Sequence, residues 1–412
     1  MPFDIRPIDP TETSAWFAAL MTAFLERSDP DAIAAEVLPL WDYRRVRAAF
    51  DDTTIVGTIR SWGTQLTVPG GAQLPGSAVA GVTVRPTHRR RGILSALMAD
   101  ELAGARERGD VVALLHASEY PIYGRFGFGP ATQATSWTVE SSKARIPGAA
   151  RLGAVRLAAA TTESRDTLRG IFEAWRRRQA GEIWRREFSW DDDLGLRTTS
   201  WGTRWNGFVA FHHDRVGEPD GYVRYHVDEK WEHRQPRNVL VVDELHTLGD
   251  EAYSDLWRFI LEVDLVVTVR AEHRSPAERL PWLLLNARAA QSSDTGEDLW
   301  LAILDMPRAL AARSYERSGS LVVETVGDAR TDAESRTRVR LDANSDGATC
   351  ATTHRSADLT LDVAALSAAY LGGARLRDAV LAKGVDEHRP GALAEADALF
   401  RTAELPWCST GF

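Results

Sequence analysis

The sequence predicts an α+β protein of more than one domain, on three observations. Its 412 residues exceed what one ordinary hydrophobic core fills. Short apolar runs of strand length alternate with amphipathic stretches of helical period. A polar break containing Gly and Pro, SSKARIPGAARLG, separates a first segment from the rest.

The first segment covers residues 1–145 and the second residues 150–295. In the second, strand-like VRLAAA at 155 precedes a helical stretch over Thr167–Gln179. Three β-rich runs follow, GFVAFHH, GYVRYHV and NVLVVDELHTLG, then the amphipathic EAYSDLWRFILEVD and the strand DLVVTVRAEH. The third segment covers residues 298–412, opening on DLWLAILDMPRAL. It holds strand-like SLVVETVGD, RTRVRLDAN and ATCATTH before the helical DVAALSAAYLGG.

Composition narrows the function classes. A hydrophobic fraction of 44% with 26% charged residues is that of a soluble globular protein. A net charge of −9 argues against nucleic acid and favours cationic small molecules. Cys350 and Cys408 make no disulfide framework and lack metal-ligand spacing, so no metal is expected. No stretch is long and apolar enough for a membrane span, and MPFDIRPIDPTETSAWF lacks the pattern of a signal peptide. The expected location is cytoplasmic.

Ser77 to Ala131 carries the chemistry. AVAGVTV (78–84) reads as a strand, PTHRRRG as a turn, and ILSALMADELAGARERG as a helix with Ile93, Leu94, Leu97, Met98 and Leu102 on one face. Such a turn holds anions, because the first helical amides lack partners and the dipole is positive there. Gly92 permits close approach of the backbone to a ligand. Arg89, Arg90 and Arg91 offer forked donors to a diphosphate. A second buried strand begins VVALLHASEYPIYGRFGFGPA (111–131), which contains Tyr123.

Arg89-Arg90-Arg91-Gly92-Ile93-Leu94 resembles the acetyl-CoA motif Q/R-x-x-G-x-G/A of GNAT acetyltransferases, with Leu94 departing at the last position. Tyr123 is similar to the tyrosine these enzymes place after a fifth strand, whose phenol protonates the leaving thiolate. About 30 residues separate it from the arginine turn, the length of one turn–helix–strand unit. THRRRGIL, HASEYPIYGRFGFGPA and a final phenylalanine together resemble the enhanced intracellular survival (Eis) family. That resemblance implies two tandem GNAT-type mixed-sheet domains, the second without cofactor, then a sterol-carrier-protein-like α/β domain, assembled as a homohexamer. It implies acetyl-CoA contacts at Val82, Thr83 and Val84, at Arg90, Arg91, Gly92, Ile93, Leu94 and Ser95, and at Ser118 and Glu119. It also implies Tyr123 as general acid and the α-carboxylate of Phe412 as general base.

An α-carboxylate has a reference pKa of about 3.5, so it is a weak base unless desolvated or acting through water. Its advantage is position, with Pro406 and Trp407 steering the tail LPWCSTGF. Gly411 stands where members of the family often carry an acidic residue, which puts substrate preference in question. Phe24, Glu26 and Trp41 are candidates for the acceptor pocket, since aromatics with a carboxylate suit a cationic amine; Trp16 reads as core. His212-His213-Asp214 reads as a surface turn, because adjacent strand residues face opposite ways. Glu244-Leu245-His246-Thr247-Leu248-Gly249 lacks a cationic turn, so no CoA is expected in the second segment. Three functions follow in order: an acetyltransferase acting on primary amines of aminoglycosides, polyamines or lysine side chains; a CoA- or lipid-binding carrier; and an assembly protein with structural CoA.

Overall fold

Hydrogen bonding sorts the strands into sheets that cross the segment boundaries read from sequence. The computed structural model describes residues 3–148, 154–327, 336–344, 346–382 and 384–412. The first sheet has seven strands, in the order β1 (Asp4–Pro7), β2 (Val46–Asp51), β3 (Thr54–Thr67), β4 (Gln73–Val84), β5 (Val112–His116), β16 (Leu299–Ile303) and β6 (Phe128–Pro130). The second runs β15 (Ala290–Glu297), β7 (Gln133–Glu140), β14 (Val266–Arg274), β13 (Asn238–Thr247), β10 (Pro219–Asp228), β9 (Phe208–His213) and β8 (Val155–Ala158). A third, smaller sheet runs β19 (Gly347–Thr352), β18 (Arg336–Asn344), β17 (Gly319–Val326), β20 (Leu359–Asp362) and β21 (Val385–Glu387). β11 (Trp231–Glu232) and β12 (Gln235–Pro236) form a separate ribbon. The chain is thus α+β, with two mixed sheets and a third domain.

Two of the expected boundaries require correction. DLWLAILD does not open the third domain: β16 inserts between β5 and β6 and completes the first sheet. Its five residues are all buried, as a central strand covered on both faces requires. Conversely β7, from the first segment, lies in the second sheet between β14 and β15. The stretch expected as a linker packs in part, since Ala144 and Ile146 are buried in the second core; residues 149–153 of it lie outside the described residues. Asp328, at the end of SLVVETVGD, also lies outside them.

Helices α1 (Thr13–Phe24), α2 (Pro30–Val37) and α3 (Ile93–Glu107) serve the first sheet, and α4 (Thr162–Arg176), α5 (Glu187–Asp193), α6 (Asp250–Leu261) and α7 (Leu280–Leu283) the second. The third domain holds α8 (Met306–Ala312), α9 (Val363–Ala369), α10 (Leu376–Ala379) and α11 (Ala392–Phe400). α4 starts earlier than its apolar pattern suggests because Thr161 caps it, its hydroxyl accepting from the Ser164 amide. The third domain docks directly on the first sheet. An ideal Cβ on Gly129 of β6 would come within 2.2 Å of the Ala364 carbonyl oxygen, so only glycine lets α9 lie this close. Helices α1, α3 and α9 thus pack on the sheet whose central strands carry the candidate site.

Candidate active site

β4 and β5 separate where the chemistry is expected. They pair in parallel at Gly76–Val112, Ser77–Ala113 and Ala78–Leu114, and no further. β4 continues to Val84, so its edge over residues 79–84 faces a gap. On its other side β4 bulges, with three residues spanning what β3 covers in two, between the pairs Thr58–Thr83 and Arg60–Ala80. A bulge turns successive amides out of the ladder. Thr58 fixes it, its hydroxyl donating to the Gly81 carbonyl at 2.8 Å and lying 2.6 Å from the Thr83 hydroxyl.

A cavity of about 220 Å³ occupies this gap. It brings together Val82, Thr83, Val84, Arg89, Leu94, Ser118, Glu119, Tyr123 and, at the rim, Phe24. Ala23, Pro86 and Ile122 complete the lining and were not singled out in the sequence. Glu26 is exposed just past the end of α1 and lines none of it. Trp41 also lies elsewhere, in an aromatic cluster with Trp16 and Phe17. Of the three residues expected at the acceptor, Phe24 alone lines this cavity.

The arginine turn opens α3 as an anion site would. Gly92 is the N-cap at φ +83°, and no side chain caps the first amides of the helix. A Cβ on Gly92 would meet nothing within 4 Å, so the residue is glycine for its backbone angle. Arg90 is also left-handed, at φ +62°. The three arginines divide their work. Arg89 lies at the cleft, 3.7 Å from Glu119, and Arg90 is exposed. Arg91 leans back over the Phe3 ring at 4.6 Å and toward Asp51 at 3.9 Å, bracing the turn rather than facing the cleft. Ile93 is buried beneath the first turn, and Ser95 is half-buried in it.

Tyr123 is 6% exposed, its ring edge-on to Phe128 and Trp300. Burial, helped by the Glu119 charge, pushes its phenol up to about 12. It therefore holds its proton at any neutral pH.

The tail is built into the molecule. The Glu182 carboxylate, fully buried, accepts from the Ser409 amide and hydroxyl, each at 2.7 Å, and from the Thr410 hydroxyl at 2.6 Å. Arg185 donates to the Thr410 hydroxyl at 2.8 Å and pairs with Glu244 at 2.5 Å. Trp407 donates to the Ala180 carbonyl at 2.9 Å. Beyond this clamp the Phe412 ring meets Trp62 at 5.2 Å and His116, the last residue of β5, at 4.7 Å. Cys408 is fully buried, and burial beside Glu182 pushes its thiol well above the ordinary range.

Relatives match this chain over most or all of its length. GNAT acetyltransferase domain models match residues 4–131 and 181–302, and a sterol carrier protein domain model matches residues 306–409. An N-acetyltransferase of Streptomyces griseus is 39% identical over 419 residues, covering all of both chains. The N-acetyltransferase Eis of Mycobacterium tuberculosis is 32% identical over 84% of this chain and 83% of its own. This chain belongs to the Eis-like GNAT N-acetyltransferases. Eis1 from Mycobacterium abscessus superposes with a TM-score of 0.84 at 31% identity, over 99% of this chain and all of the other. A GCN5-related N-acetyltransferase from Anabaena variabilis shares the fold, with a TM-score of 0.83 at 18% identity.

GNAT acetyltransferases use acetyl-CoA. Uncapped amides and Arg89 at the cleft suit a diphosphate, and the open edge of β4 suits an extended amide-bearing arm. The second GNAT domain has the same strand–helix plan but fills it differently. β13 and β14 pair in parallel up to Val242–Ala271, and past that point the Arg274 side chain donates to the Leu245 carbonyl at 3.0 Å. Trp407 reaches the His273 carbonyl at 3.2 Å in the same gap. Asp250 and Glu251 begin α6, placing negative charge where the first domain has arginine. His212 corrects one expectation: it is fully buried, between Asp220 at 2.5 Å and Asp255 at 3.4 Å, not in a surface turn. Its strand β9 is covered by α6, which supplies Asp255.

Proposed function

We propose that the first domain transfers an acetyl group from acetyl-CoA directly to a primary amine, and that the second domain binds no CoA. One observation supports the reading: Arg89, Leu94 at the start of α3 and Tyr123 line one cleft where β4 and β5 part. Backbone amides beside the bulge stabilise the oxyanion that forms as the amine nitrogen attacks the carbonyl carbon. The C–N bond forms, the C–S bond breaks, and Tyr123 hydrogen-bonds and protonates the departing sulfur. The amine proton leaves toward the Phe412 carboxylate through water. Products are the amide and free thiol.

The overall charge of −9 draws cationic amines by its long-range field, whereas selection rests on the groups that touch the acceptor. The homohexamer implied by the resemblance belongs to the same reading. Mass spectrometry of acetyl-CoA reactions with an aminoglycoside, a polyamine and a lysine peptide is expected to show stoichiometric acetylation of an amine with thiol release. Binding of CoA without release across a broad amine panel would leave only a carrier or assembly role.

The turn has its own test. Gly92→Ala forces an L residue to φ +83°, a strain of about 1–2 kcal/mol. The KM for acetyl-CoA is expected to rise about tenfold with kcat little changed. An unchanged KM would remove this turn from the binding site.

A further inference from the structure

Two arginines gather on the face of the first sheet where Phe412 packs, and among the described residues neither forms a close ion pair. α3 packs on the face bearing Ile59, Val79, Ala113 and Leu115. Arg60 and Trp62 alternate with these on β3 and so project from the opposite face. The Arg60 guanidinium lies 5.2 Å from the Trp41 ring centre and 4.8 Å from that of Trp62. Arg186 covers Trp62 at 4.0 Å and Phe188 at 4.5 Å. The result is a ladder of alternating rings and cations, with Phe412 edge-on to Trp62.

Arg186 belongs to the second GNAT domain, and backbone pairing delivers it. β2 reaches β3 only as far as Arg60, and residues 181–184 take over the free edge. The Thr67 amide donates to the Glu182 carbonyl at 2.9 Å, and the Trp184 amide to the Gln65 carbonyl at 3.0 Å.

The nearby side-chain carboxylates are already committed. Asp191 pairs with Arg165 at 2.9 Å, Asp192 with Arg197 at 2.7 Å, and Asp193 with Arg185 at 3.4 Å and Arg224 at 3.7 Å. Among the described residues, none pairs with Arg60 or Arg186, whose contacts are with rings. Burial and then the neighbouring Arg186 lower Arg60 to about 9; burial lowers Arg186 to about 10 against the raising charge of Asp192, so both stay cationic at neutral pH. Two like charges gathered on a partly buried face are costly unless an anion joins them.

We propose that the acceptor is an amine bearing a carboxylate, of amino-acid type, whose carboxylate is held by Arg60 and Arg186 against Trp62. The proposal rests on the acetyltransferase reading and names its substrate class. Arginine forks suit a carboxylate, and the rings take an apolar body.

The test uses matched acceptors with the full-length protein and acetyl-CoA: tryptophan against tryptamine, phenylalanine against phenethylamine, O-phosphoethanolamine against ethanolamine, and spermidine alone. The carboxylated member is expected to win by about tenfold or more in kcat/KM. Arg60→Gln and Arg186→Gln should each remove about tenfold of that preference through KM, with the acetyl-CoA KM unchanged. Arg60→Lys, which keeps the charge without the fork, should restore part of it. Circular dichroism confirms that each variant folds. A wild-type preference for tryptamine or spermidine overturns the proposal, as does a preference that survives both substitutions. Superior turnover of O-phosphoethanolamine alone overturns the carboxylate assignment. Titration calorimetry in the presence of CoA separates the two readings. Carboxylated amine that binds wild type but neither variant, without thiol release, supports the anion site and sinks the acetyltransfer; no binding at all overturns the anion site.

Discussion

Tyr123→Phe is expected to lower kcat by about 10²–10³-fold while leaving the KM for acetyl-CoA within about twofold. The substitution removes one hydroxyl from a ring packed on Phe128 and Trp300 and leaves the packing in place. A phenol near 12 is protonated throughout the working range. A free thiol titrates near about 8.5, so Tyr123 acts mainly by donating a strong hydrogen bond as negative charge gathers on sulfur. The sign of its pH effect follows. Its folded value lies above the ordinary 10.0, so its contribution to stability is complete below pH 10 and lost as pH rises through about 12. An alkaline fall in kcat below pH 10 therefore reports another group. Steady-state kinetics check the first point, and a Tyr123→Phe rate equal to wild type removes the phenol from the mechanism.

The second large effect concerns the tail. Glu182→Ala is expected to cost about 3–5 kcal/mol locally, because it strands the Ser409 amide and the Ser409 and Thr410 hydroxyls in a buried site. Freed of that clamp, the tail would leave Trp62 and His116, and kcat would fall with it. Tryptic cleavage at Arg401, followed by mass spectrometry of the released C-terminal peptide, reads this directly. Wild type should resist and Glu182→Ala should be cut; equal resistance would show that the carboxylate does not hold the tail.

The part of the site legible in sequence is the part that is contiguous. Strand, turn, helix and Tyr123 lie within one stretch, and their logic needs only local hydrogen-bonding rules. The acceptor face is assembled from a distance. Arg60 and Trp62 come from β3, Arg186 from a segment paired to its edge, and Phe412 from a tail clamped by Glu182. Nothing in IRSWG or WRREF signals that these residues meet. The placing of β16 was recoverable in part, since LWLAI is an unbroken apolar run of the kind a central strand needs. What sequence could not supply was its partners. That Phe24 lines the cleft while Glu26 and Trp41 do not has the same origin, because residue types that suit a cation do not fix where their helices and loops pack.

A crystal structure with CoA bound tests the account most directly. It should show the diphosphate within hydrogen-bonding distance of the Ile93–Ser95 amides and the sulfur at the Tyr123 hydroxyl, with the Arg274–Trp407 gap of the second domain free of CoA. CoA seated in that second gap, or a sulfur remote from Tyr123, would contradict it.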